Sequence, residues 1–197
     1  MKPEGPVAHR SDYVVVPDTH AHVAALVRIL HYSKGTANTS VHAHSMIRKS
    51  DGVVVGGALW MPPTRVAAES VTPAGADWRG VLNLSRLVVA PDEPKNAAGI
   101  LLSGSLRLVA EDERWHTAVT WADTGQGHKG TIYKATNWVE VGEGTPKAVW
   151  GDKDGKMVAI KQASRTRTAA EMRALGYEVL YTSRKIKFAF DLRRLRS

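Results

Sequence analysis

The sequence predicts an α+β fold: a mixed, mostly antiparallel sheet of six or seven strands flanked by helices. Three observations carry this. Segments with strand character and segments with helical spacing are interleaved along the 197 residues rather than grouped. Twice a strand runs straight into a helix, first at Val81–Val89 before Ala97–Glu111 and again at Thr117–Trp121 before Gly130–Thr136. The composition, 43% hydrophobic and 23% charged, is enough to bury a core, which excludes wholesale disorder. One domain spanning residues 1–197 is expected.

Each element has its own signal. Tyr13–Val16 is a short β-rich run. Val23, Leu26, Val27 and Leu30 recur at helical spacing within Ala21–His31, with Asp18 or Thr19 placed to cap it. Val53–Trp60 is an apolar strand whose Gly56-Gly57 pair marks a bulge or a close backbone approach. Val81–Val89 is β-rich, and strict alternation would put Leu82, Leu84, Arg86 and Val88 on one face. Ala97–Glu111 reads as a helix, Thr117–Trp121 and Trp138–Val141 as strands. Thr168–Leu175 reads as a helix closed by Gly176, and Tyr177–Thr182 with Lys185–Leu192 as a terminal hairpin.

The charge is uneven. Residues 1–144 hold 14 Lys/Arg and 14 Asp/Glu, whereas residues 145–197 hold 13 and 5. The whole net charge of +8 therefore lies in the last quarter of the chain, the footprint of a polyanionic partner such as nucleic acid. Arg165, Arg167, Arg173, Arg184, Lys185 and Lys187 could track phosphates, with Tyr177, Tyr181 and Phe188 between them. No cysteine is present, so disulfides, thiolate metal sites and a Cys nucleophile are excluded. No apolar run approaches the ~18 residues of a membrane span, and the first residues lack the apolar core of a secretion signal, so a cytoplasmic location is expected.

The chemistry concentrates between Leu82 and Gly142. A strand that ends in small residues opening a helix leaves backbone N–H groups pointing outward, where an anion is favoured. Here the loop is Lys95-Asn96-Ala97-Ala98-Gly99, preceded by Asp92 and Glu93. After the second strand come Ala122-Asp123-Thr124, the loop Gly125-Gln126-Gly127-His128-Lys129-Gly130, and then Thr131-Ile132-Tyr133-Lys134-Ala135-Thr136-Asn137-Trp138. This order resembles the Gcn5-related N-acetyltransferase fold, in which two central strands splay apart to admit the arm of coenzyme A. The resemblance implies that Tyr133, four residues before Asn137-Trp138, protonates the leaving thiolate. It also implies that Val88, Val89 and Lys95 through Gly99 bind the cofactor. The loop departs from the usual glycine-rich pattern, keeping one glycine.

A narrower resemblance covers residues 30–142. Leu84-Ser85-Arg86-Leu87-Val88-Val89, Leu102-Ser103-Gly104-Ser105-Leu106-Arg107 and the run from Ala122 to Trp138 are together similar to the Mom proteins of Mu-like phages. His31-Tyr32-Ser33 is similar as well. The resemblance implies a DNA-modifying transferase that converts adenine to its N6-carbamoylmethyl form and so protects phage DNA from host restriction. It implies double-stranded DNA as partner, and acetyl-CoA and iron as cofactors. The alternative is an acyl-CoA-dependent N-acyltransferase acting on a hypermodified base, a small amine or a protein. A DNA-binding relic of the fold without catalysis is the third reading.

Single residues follow. Asp123, just past a strand end, could accept a proton from an amine, or simply cap the turn before Gly125. Arg86 on an inward face would need an anionic partner, either Asp123 or a ligand. The family resemblance adds Ser105 to the catalytic candidates, and His31, Tyr32, His128, Arg184, Lys185 and Lys187 to substrate or DNA contact. His42 and His44 stand two apart, on one face if they lie on a strand, and are expected to be exposed rather than to hold a metal.

Overall fold

The computed structural model describes residues 6–31, 36, 39–161 and 165–196. The elements are β1 (Tyr13–Pro17), α1 (His20–Leu30), β2 (His42–Arg48), β3 (Val54–Met61), α2 (Arg65–Glu69), β4 (Val81–Val89), α3 (Ala97–Ala110), β5 (Thr117–Asp123), α4 (Thr131–Ala135), β6 (Val139–Glu143), β7 (Lys147–Gly151), β8 (Met157–Val158), α5 (Ala169–Ala174), β9 (Glu178–Ser183) and β10 (Lys185–Asp191). Seven strands form one sheet in the order β1-β2-β3-β4-β5-β10-β6, and three form another in the order β8-β7-β9. The chain divides into two compact units. The first holds Met1–Thr120, Thr131–Glu140 and Phe188–Ser197; the second holds Trp121–Gly130 and Val141–Lys187.

In the first unit β1 to β4 pair antiparallel in sequence order, and β4 then pairs parallel with β5. The Thr19 hydroxyl caps α1 by accepting from the His22 N–H at 3.3 Å. Val23 and Val27 of α1 are fully buried against Ala43, Leu59 and Val88. Each such side chain contributes about 1.5–3 kcal/mol on leaving water. The Gly56-Gly57 pair is a close approach on both faces of β3. A Cβ at Gly56 would meet the Val88 carbonyl at 2.7 Å, and one at Gly57 would meet Val23 Cγ1 at 2.7 Å. The carbonyl is backbone and cannot yield, so Gly56 is fixed by sterics.

Strict alternation fails along β4, and a bulge is the reason. Leu59 opposes Arg86, but its neighbour Trp60 opposes Leu84, so Ser85 is an extra residue on β4. Leu59 packs with α1. Trp60 donates its indole N–H to Ser105 of α3. Arg86 and Val88 therefore face α1, whereas Leu84 faces α3. The four residues expected on one face are divided between two.

β2 carries little sequence signal because its buried positions include His44 and Ser45, polar residues satisfied only by tertiary partners. The expected terminal hairpin does not form. β9 pairs with β7, whereas β10 lies between β5 and β6. Phe188, Phe190 and Leu192 are buried core residues of the first unit, so the charge boundary at residue 144 is not a structural boundary. No helix among the described residues is long and apolar enough to cross a membrane.

The second unit is built on the β8-β7-β9 sheet. Thr168 and Glu171 form a reciprocal capping box that starts α5, and the chain leaves α5 through Gly176 at φ 78°. Met172 of α5 and Trp150 of β7 are buried, with the Arg173 guanidinium 5.7 Å from the Trp150 ring centre. The glycine-rich loop docks on β9, where Gln126 donates to the Tyr181 hydroxyl at 2.7 Å.

Candidate active site at the split between the central strands

β4 and β5 pair at three positions, Val81–Thr117, Leu82–Ala118 and Asn83–Val119, and no further. One residue beyond, the Thr120 hydroxyl donates to the Leu84 carbonyl at 3.1 Å. The side chain satisfies a carbonyl that the backbone ladder has stopped serving. The same hydroxyl lies 3.5 Å from the Tyr133 hydroxyl. Tyr133 is thus placed where the two strands part.

The spacing from Tyr133 to Asn137-Trp138 has a local cause. The Trp138 N–H donates to the Tyr133 carbonyl at 3.0 Å, and the Asn137 N–H to the Lys134 carbonyl at 3.2 Å. Asn137 sits at φ 63°. This is a Schellman ending for α4, with Asn137 in the left-handed position glycine usually takes. The apolar contact that accompanies such endings is the Tyr133–Trp138 pair, with ring centres 5.6 Å apart. Phe188 packs on Tyr133 at 5.2 Å and Phe190 on Trp138 at 5.7 Å. Burial pushes the Tyr133 phenol above its ordinary pKa, offset in part by the Thr120 hydroxyl, so it keeps its proton at neutral pH.

The loop before α3 lies on the same unit. Gly99 is next to α4, its Cβ position 3.9 Å from Thr136 Cγ2. Glu93 turns inward to Arg48 Nη1 at 2.5 Å and to the Tyr13 hydroxyl, so its charge is compensated. The Asn96 carboxamide binds the backbone of Ala8, accepting from its N–H at 2.8 Å and donating to its carbonyl at 2.6 Å. Ala97 is buried, while Lys95 is exposed. Val88 is buried with its side chain toward α1, and Val89 is half-buried.

The other expected residues are dispersed. Asp123 caps the 3-10 turn that follows it, accepting from the Gly125 N–H at 3.0 Å and from the Ser183 hydroxyl, and it belongs to the second unit. Arg86 Nη1 donates to the Ser85 carbonyl at 2.6 Å. Ser105 is fully buried, taking the Trp60 indole N–H at 2.7 Å and lying 2.6 Å from His44 Nδ1. The pair His42 and His44 share a face of β2, with ring centres 6.1 Å apart, but the expected exposure is wrong. His44 is 2% exposed and His42 is half-buried. Burial, with a smaller push from His42, holds His44 down at about 4, so its Nδ1 accepts from the Ser105 hydroxyl. Neither histidine was legible as a core residue, because the partners lie on α3 and near Trp115.

His31 is the C-cap of α1 and half-buried; Tyr32 lies outside the described residues. His128 is exposed. Arg184 pairs with Glu143 at 2.9 Å, Lys185 is exposed, and Lys187 is half-buried. Among the described residues no three His, Asp or Glu side chains form a group that could hold a metal ion.

Comparison with known proteins decides the family. The Mom protein family matches residues 12–193. The chain belongs to the Mom family. No curated protein matches it. Among solved structures this Mom-family chain is similar to the Vibrio cholerae spermidine N-acetyltransferase in complex with CoA and spermine, with TM-score 0.55 and 8% identity over 95% of this chain and 99% of that one. It is also similar to the Escherichia coli ribosomal-protein-S18-alanine N-acetyltransferase, with TM-score 0.51 and 10% identity over 91% and 94%. At such identities the likeness establishes the fold, that of the Gcn5-related N-acetyltransferases.

Proposed function

We propose that this protein is a transferase that modifies the N6 amine of adenine in double-stranded DNA, leaving a carbamoylmethyl group that shields the DNA from host restriction. The observation that carries the catalytic part is Tyr133, a protonated phenol held at the split of β4 and β5. Membership of the Mom family supplies the nucleic-acid part.

An acyl-CoA, when bound, would supply an acyl carbon activated by a sulfur leaving group, which accounts for an N-acyl product; a carbamoylmethyl product would in addition draw its methylene link and its amide nitrogen from a nitrogen-bearing co-substrate. The residues present fit it at both ends. At the split, the backbone of Val88 and Val89 lies beyond the last β4–β5 pair, with the Tyr133 hydroxyl at its edge. At the loop, Lys95 is an exposed cation and Ala97, Ala98 and Gly99 are small, while Glu93 is neutralised by Arg48. Tyr133 holds its proton at the phenol oxygen for the group that departs there. The aromatic packing of Trp138 and Phe188 fixes the ring, and the Schellman ending fixes the backbone that carries it. Adenine N6 is a weak nucleophile because its lone pair is delocalised, so an orienting contact and an activated donor are both needed. The second unit supplies the grip on the duplex in this reading. It carries eleven Lys/Arg against six Asp/Glu, with Lys153, Lys156 and Lys185 exposed.

A second reading is acyl transfer alone, to a base or a small amine. The likeness to two amine acetyltransferases favours it. The products differ chemically: acyl transfer joins nitrogen to a carbonyl carbon, whereas carbamoylmethyl joins it to a methylene and brings an additional nitrogen. Mass analysis of nucleosides from plasmid DNA of expressing cells separates the two. A carbamoylmethyl adduct on deoxyadenosine supports the first reading, and an acetyl adduct supports the second.

A further inference from the structure

We infer that Asn83 is the residue that reads the acceptor base, its side-chain carboxamide meeting the exocyclic amine of adenine at the mouth of the β4–β5 split. The inference rests on the reading of the protein as an adenine-modifying enzyme.

Asn83 occupies the last position at which β4 and β5 are paired, opposite Val119. Its Oδ1 is buried and has no hydrogen-bond partner among the described residues. A carboxamide oxygen left in that state keeps the full cost of its lost hydration, and such groups are uncommon in folded proteins. A function that needs the oxygen explains why the cost is kept. The location is specific. Leu84 faces α3, so Asn83, its neighbour by alternation, faces the side of α1, as Arg86 does beyond the bulge. In a parallel pair the partners share a face, so Val119 joins Asn83 there and Thr120 faces the other way, toward Leu84 and Tyr133. The orphaned acceptor and the proton-bearing phenol therefore stand on opposite faces of the sheet at one split.

The side chain suits the base. A carboxamide accepts from the N6 amine and donates to an adjacent ring nitrogen, the bidentate contact by which Asn and Gln select adenine. Accepting one N–H at Oδ1 holds the amine in place. The base must leave the helical stack to reach this position.

The test compares wild type, Asn83→Leu and Asn83→Asp as full-length purified protein or in expressing cells. Leucine keeps the branching of asparagine at Cγ with the same number of side-chain heavy atoms and removes the buried unpaired oxygen. Its melting temperature is expected to equal or exceed that of wild type, and its affinity for duplex DNA to be unchanged. Its adenine adduct formation is expected to fall about 10- to 100-fold, the discrimination a bidentate base contact provides. Asn83→Asp keeps an acceptor and loses the donor, and is expected to fall between the two. Adduct formation by Asn83→Leu at the wild-type rate would overturn the inference and leave the adenine reading standing. A lowered melting temperature accompanied by lost DNA binding in both variants would mark Asn83 as structural, and also overturn it. No adenine adduct from wild type would overturn the adenine reading and this inference together.

Discussion

The Thr120 hydroxyl donates to the Leu84 carbonyl at 3.1 Å, one residue past the last backbone pairing of the two central strands. A side chain has taken over where the ladder stops. The Tyr133 hydroxyl, 3.5 Å from the same oxygen, is located by that contact. Thr120→Val keeps the shape and removes the hydroxyl, leaving a buried carbonyl unpaired. It is expected to lower stability by about 1–3 kcal/mol and to reduce turnover through a displaced Tyr133. Thr120→Ser is expected to recover most of both losses. Chemical denaturation alongside adduct quantification checks the pair.

Burial keeps the Tyr133 proton on, which sets a direction for pH dependence. A general acid acts while protonated, so the alkaline fall in turnover attributable to Tyr133 is expected above pH 10, beyond the ordinary tyrosine value. A rate profile in the wild type, with the limb absent in Tyr133→Phe, is the check. A limb near neutrality would assign it to another group.

The Schellman ending makes Asn137 replaceable by one residue type. Asn137→Gly is expected to be tolerated, within about 1 kcal/mol of wild type, because glycine accepts φ 63° without strain. Asn137→Val is expected to cost about 1–2 kcal/mol or more, since a β-branched residue resists the left-handed region. Thermal melts of the two variants decide this.

His44 predicts the acid side of stability. Its folded value of about 4 is below the ordinary 6.5 of histidine. A depressed value means that the stability contribution is present above the unfolded value and is lost as pH falls through the folded one. About 3 kcal/mol should disappear between pH 6.5 and 4, at roughly 1.36 kcal/mol for each pH unit separating the two values. His44→Asn retains an acceptor for Ser105 and cannot titrate, so its denaturation midpoint is expected to be flatter across that window.

Much of the architecture was legible because local and tertiary signals agreed. α1 showed its apolar spacing and a cap at Asp18 or Thr19, of which Thr19 serves, and Gly56-Gly57 announced a bulge or a close approach, the approach being to the Val88 carbonyl and Val23. Tyr133 stood out through its distance from Asn137-Trp138, which the helix ending now explains. What was illegible depended on partners far away in sequence. β2 is held by His44 with Ser105 and by Ser45 with Asp18. The β4 bulge inserts Ser85 and reverses the facing of Arg86, which periodicity cannot anticipate. The separation of β9 from β10 follows from pairing with β7 and from the burial of Phe188 and Phe190, not from the short link between the two strands. Asn83 carried no signal, since its significance lies in a missing hydrogen bond at a strand junction.

The basic surface has a separable role. Replacing Lys153 and Lys156 by glutamine is expected to weaken duplex binding equally for all sequences and to reduce the salt slope by about 2. Affinity measured across a salt series checks this, with melting temperature unchanged because both side chains are exposed.

That Tyr133 serves adenine modification at the β4–β5 split is tested most directly by one measurement. Nucleosides from a plasmid carried in cells expressing wild type, Tyr133→Phe or no protein are resolved by mass. A carbamoylmethyl adduct on deoxyadenosine is expected with wild type. A reduction of about 100-fold or more is expected in Tyr133→Phe, whose ring packing against Trp138 and Phe188 is retained. Equal adduct in wild type and Tyr133→Phe would contradict the role of Tyr133, and unmodified adenine in both would contradict the function.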